Sequence, residues 1–74
     1  MTVLDLTESI LADLRLTGAR ATLEAAEWTR DDFVSHRWWR AGVYIDARGG
    51  RADVKGSLTV AELRAFAVIA EVTP

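Results

Sequence analysis

Hydrophobic and polar positions divide the chain into three readable stretches. Over residues 5–17, DLTESILADLRLT, Leu6, Ile10, Leu11 and Leu14 recur at helical spacing while Glu8, Asp13 and Arg15 fall away from them. This predicts an amphipathic helix, capped at its start by Asp5 or Thr7. Gly18 stands where a left-handed C-cap residue is expected, so the helix should stop there. From Gly42 to Arg48 the period changes to two, with Val43, Ile45 and Ala47 on one face and Tyr44, Asp46 and Arg48 on the other. Gly49-Gly50 supplies the positive-φ positions of a tight turn. Closing it pairs Arg48 with Arg51, Ala47 with Ala52, Asp46 with Asp53 and Ile45 with Val54, and a slip of one residue would scramble both faces. The segment Arg37–Gly56 therefore reads as a β-hairpin around which the chain is organised.

Further on, Thr59-Val60-Ala61-Glu62 forms a capping box, with Leu58 and Leu63 in the positions of a hydrophobic staple. A helix from about Val60 to Val72 follows. Its stripe includes Val60, Leu63, Phe66, Ala67 and Ala70, but Val68, Ile69 and Val72 make it apolar on more than one side. Such a helix is either deeply buried or packed against another chain, and in the second case the contact expected is a homodimer through Phe66, Ile69 and Val72.

Between these stretches the pattern is ambiguous. In residues 19–28, Ala, Leu and Glu favour helix, while Ala21, Leu23 and Ala25 alternate with Arg20, Thr22, Glu24 and Ala26 as in a strand. Because a lone two-stranded hairpin is poorly stable, the strand reading is preferred. Thr29 to Asp32 is turn-like, or opens a short helix through His36; Phe33 to Arg40 completes that helix or runs into the hairpin as one long strand with Gly42 as a bulge. The expected fold is α+β, a single domain spanning residues 1–74, ordered α-β-β-β-α with a three-stranded antiparallel sheet and two helices.

Composition narrows the class. A chain of 74 residues has little interior and needs tight packing or a partner subunit for support, and with no cysteine it has no disulfide or thiolate metal site. No stretch approaches the length of a membrane span and the N-terminus lacks the basic start of a signal peptide, so a cytoplasmic protein with no membrane partner is expected. The net charge of −2 disfavours nucleic acid as a partner, although the middle third gathers Arg30, Arg37, Arg40, Arg48, Arg51 and Lys55. The dominance of Arg over Lys, together with abundant Ala, reads first as GC-rich coding bias, and short stand-alone chains of this kind suit accessory proteins of mobile elements, phages included.

Trp38 and Trp39 are the sharpest candidate feature. Neighbours on a strand point to opposite faces, so both indoles are not expected in one small core. Arg37 and Arg40 flank them, and Arg beside an exposed indole stacks on it and adds a planar donor array. Trp and Arg are enriched among the residues that dominate binding energy at protein interfaces. Arg37, Trp38, Trp39, Arg40, Tyr44, Arg48 and Arg51 are therefore the expected binding residues, facing a protein partner. No cofactor or metal is expected: Asp31 and Asp32 diverge on a strand, and Asp46 and Asp53 lack a histidine co-ligand. Catalysis is not the leading expectation, and its one candidate is His36, the single histidine.

Two resemblances add alternatives. Val34-Ser35-His36, the β-rich middle and the closing LTVAELRAFAVIAEVT resemble HicA-type toxins, small mRNA interferases whose Gly-Ser-His motif supplies a histidine for RNA cleavage. Ser35 and His36 match that motif and Val34 replaces its glycine; the resemblance implies an RNA-cleaving role for His36. ILADLRLTGARATLE, with the later hairpin and LTVAELRA, is similar to the β-hairpin docking domains of peptide synthetase assembly lines, although Trp28 to Gly42 has no counterpart there. That similarity implies an acidic partner peptide facing Arg37, Arg40, Arg48, Arg51 and Lys55. The leading expectation is a small non-enzymatic interaction or regulatory module; an RNA-cleaving toxin and a nucleic-acid binder using the basic middle third are the alternatives.

Overall fold

The computed structural model describes residues 3–74, with side chains from residue 8 onward. Its order is α1 (Val3–Ala25), β1 (Thr29–Arg30), β2 (Arg37–Arg40), β3 (Val43–Arg48), β4 (Arg51–Ala52) and α2 (Val60–Val72). The α+β arrangement is as expected, but the sheet has four strands rather than three, in the antiparallel order β1-β2-β3-β4.

The largest correction is to α1. Gly18 does not end it, and residues 19–25 are helix rather than strand. Gly18 costs about 1 kcal/mol relative to Ala in a helix interior, which the packing of Ala19 and Leu23 in the core offsets. The apparent alternation of Ala21, Leu23 and Ala25 was misleading, since only Leu23 is buried. Asp5 and Thr7 lie inside the helix rather than at its cap; their side chains and that of Leu6 are outside the described residues. Termination comes instead at Glu27, which adopts φ 67°. The Trp28 N–H donates to the Leu23 carbonyl (2.9 Å) and the Glu27 N–H to the Glu24 carbonyl (3.0 Å). This is a Schellman motif with Leu23 and Trp28 as its apolar pair.

β1 pairs Thr29 with Trp39 and Arg30 with Trp38. Residues 31–36 are a loop, neither the short helix nor the long strand expected. Asp31 Oδ1 accepts the N–H groups of Phe33 (2.8 Å) and Val34 (2.9 Å), the local device that Asp supplies in turns. Gly42 is not a bulge; Ala41 (φ 50°) and Gly42 (φ 78°) make a two-residue turn joining β2 to β3. The β3–β4 hairpin has the expected register, Arg48 opposite Arg51 and Ala47 opposite Ala52, but its ladder ends there.

The capping box at α2 is present in both directions, the Glu62 N–H donating to Thr59 Oγ1 and the Thr59 N–H to Glu62 Oε1, each 3.1 Å. At the other end of α2 the β3–β4 turn acts as a cap: the Gly49 and Gly50 N–H groups donate to the carbonyls of Thr73 (2.6 Å) and Ala70 (2.9 Å). Phe66 fills the centre of the core, edge-on to Trp28 (5.1 Å between ring centroids) and to Trp38 (6.5 Å). The expected dimer residues are thus corrected: Phe66 and Ile69 are buried within this chain, and only Val72 is exposed. Val60 and Leu63, assigned to the inward stripe, are also exposed.

Candidate functional site

The chain segment Arg37-Trp38-Trp39-Arg40 splits between the two faces of the sheet, because successive side chains on a strand alternate. Trp38 and Arg40 point inward and Arg37 and Trp39 outward; Trp38 is buried and Trp39 exposed, while both arginines are half-buried.

Inside, Trp38 is 1% exposed and belongs to the core; its indole N–H has no hydrogen-bond partner among the described residues. Its assignment as a contact residue is therefore corrected. Arg40 is corrected too. One of its terminal nitrogens donates to the Ala26 carbonyl and bonds Glu62 Oε2, each at 2.9 Å, and its guanidinium lies 4.4 Å from the Trp28 ring centroid. The Trp28 indole N–H donates to the same Glu62 oxygen at 2.6 Å. Glu62 is buried, and its carboxyl is held down at about 2, first by the Trp28 hydrogen bond, then by the Thr59 amide, with Arg40 contributing. Burial acts in the opposite sense and is outweighed. This cluster joins the segment that follows α1, the end of β2 and the first turn of α2. The sequence signalled only its capping-box part.

Outside, three cross-strand pairs stand in a row. Trp39 opposes Tyr44, Arg37 opposes Asp46, and Arg48 opposes Arg51. Trp39 is 41% and Tyr44 56% exposed. Arg37 Nε donates to Asp46 Oδ1 at 2.9 Å while its guanidinium lies 5.5 Å from the Tyr44 ring centroid, so Arg37 is tethered between the acid and the aromatic. The Asp46 hydrogen bond makes the guanidinium hold its proton more tightly. Of the seven expected binding residues, Arg37, Trp39, Tyr44, Arg48 and Arg51 thus share the face turned away from the helices. Beside the Arg37–Asp46 pair lies an open depression of about 620 Å³, reaching Asp53, Val54 and Lys55.

His36 is half-buried, with Nε2 4.0 Å from Asp46 Oδ1. That carboxylate oxygen already accepts from Arg37. Ser35 is exposed in the loop before it.

One residue escaped the sequence reading. Phe33 is 97% exposed at the β1–β2 loop, in the turn that Asp31 organises through its two amide contacts. Those contacts, with Val34 the larger, also keep the Asp31 carboxyl below the usual carboxylate range. The available signal was the Asp-Asp-Phe-Val run, an Asx turn that presents the residue two places on.

Compared with protein-family models, curated proteins and solved structures, the chain shows no match. The functional reading therefore rests on this geometry.

Proposed function

We propose that the chain is a small non-enzymatic interaction module that takes a protein partner on the outer face of its sheet. The observation that carries this reading is the directly opposed pair Trp39 and Tyr44, both solvent-exposed on the face opposite the core. Aromatic rings left in water gain from being covered, and Trp, Tyr and Arg are the side chains on which interface energy concentrates. Arg37, Arg48 and Arg51 outnumber Asp46 and Asp53 on or beside this face, which suits a partner with acidic groups around an apolar centre. A cysteine-free chain is compatible with a reducing compartment such as the cytoplasm.

A second reading draws on the same pair: aromatic rings bordered by arginines are also a platform on which single-stranded nucleic acid stacks. A photo-crosslinking amino acid at position 44, with position 67 on the exposed side of α2 as control, separates the two readings in the producing cell. The expected result is a protein adduct from position 44 that disappears with Trp39→Ala, and none from position 67. Adducts containing nucleic acid, with affinity falling steeply as salt rises, would establish the second reading instead. Equal crosslinking from both positions would refute the outer face as the site.

A further inference from the structure

A different surface carries a second inference, and it uses residues of α1 rather than the sheet. Every residue from Glu8 to Arg15 is exposed, although all lie in a helix. The molecule measures 44 × 21 × 19 Å; its length comes from α1, whose 23 residues span about 34 Å at 1.5 Å each. Arg15, paired with Glu71 near the end of α2 at 3.6 Å, marks where α1 leaves the body. The projecting part carries an apolar stripe beside Glu8, Asp13 and Arg15. Ile10, Leu11 and Leu14 are 58%, 54% and 63% exposed.

At 100° per residue these three side chains lie roughly 170° around the helix from Leu16, Ala19 and Leu23, which face the core. The apolar stripe of α1 therefore changes sides between its two halves, and the chain's own body cannot reach the outer one. Short helices with no tertiary support are marginal in water, so this projecting stripe calls for a cover.

We propose that the cover is a second copy of this chain, with the two α1 helices packed antiparallel about a two-fold axis between Leu11 and Leu14. The projecting half of α1 is self-complementary. In that register Leu11 of each copy opposes the partner's Leu14, and each Glu8 falls beside the partner's Arg15, giving two apolar layers and two opposite-charge pairs. A parallel pair would instead align the helix dipoles and leave Glu8 about 10 Å along the axis from the partner's Arg15. The antiparallel register also passes Gly18, where nothing lies within 4 Å of the position a side chain would take, so that surface is open to the partner helix.

Sedimentation equilibrium on the full chain from about 1 µM to about 1 mM tests this. The expected result is a monomer–dimer equilibrium that Leu11→Glu or Leu14→Glu weakens at least about tenfold. In a Glu71→Gln background, which removes the intrachain partner of Arg15, Glu8→Arg and Arg15→Glu should each weaken it, and the two together should restore it, since the swap rebuilds both intermolecular pairs with reversed sign. All five positions are exposed, and circular dichroism confirms that the variants keep their fold. A monomer throughout the range, a dimer indifferent to Leu14→Glu, or a double variant no better than the single ones would overturn the proposal. Loss of the dimer in Trp39→Ala would overturn it as well, by placing the second copy on the sheet.

Discussion

Each face of β2 carries one Trp and one Arg, and the two faces use them in opposite ways. Inward, Trp38 and Arg40 are fixed: one is sealed against Phe66, the other held by Glu62, the Ala26 carbonyl and the Trp28 ring. Outward, Trp39 and Arg37 lie beside Tyr44 and Asp46 with solvent on the far side. What separates a structural Trp-Arg pair from an available one is which face the helices cover, and not residue type. Composition arguments that count Trp and Arg as interface residues therefore miscount by the inward half.

Substitutions of the two adjacent indoles give the sharpest contrast. Trp38→Ala should cost about 3–5 kcal/mol, enough to unfold much of a domain this small, because it empties the space beside Phe66. Trp39→Ala should leave stability within about 1 kcal/mol of wild type while abolishing partner capture. Urea titrations of both variants measure the difference. Equal losses would mean that the faces are not distinct.

The inner polar cluster gives the next effect. Glu62→Gln leaves Arg40 without its countercharge in a half-buried site and should cost about 2–4 kcal/mol. The pH dependence has a definite sign. The folded carboxyl sits at about 2, below its ordinary 4.5, so its stabilisation is complete above about pH 4.5 and is lost as pH falls toward 2. Melting temperature measured from pH 6 to pH 2 should decline less steeply in Glu62→Gln than in wild type. An unchanged slope would remove Glu62 from the acid response.

How much of this was legible in the sequence follows from how local each signal is. Gly49-Gly50 and Thr59-Glu62 act through neighbouring backbone, and both elements formed in the expected register. Alternation correctly separated Trp38 from Trp39 but did not say which face the helices would take. β1 has only two residues, both exposed, and exists by pairing with β2, so no periodicity announces it. Gly18 misled because a glycine inside a helix and one at its end look alike in sequence, and what decides between them is the distant packing of Leu23. The true stop, Glu27, carries no stop signal at all.

That stop provides the smallest effect. Glu27 holds a left-handed conformation that glycine adopts without strain, so Glu27→Gly should raise stability by about 1 kcal/mol, read from the urea midpoint. Destabilisation would show that the Glu27 side chain contributes more than its backbone costs.

Acrylamide quenching of tryptophan fluorescence tests the division of the two faces most directly. Of the three indoles, Trp28 and Trp38 are buried and Trp39 is exposed. The account predicts one readily quenched component in the wild-type protein and its loss in Trp39→Phe. A readily quenched component that survives in Trp39→Phe and disappears instead in Trp38→Phe would contradict it.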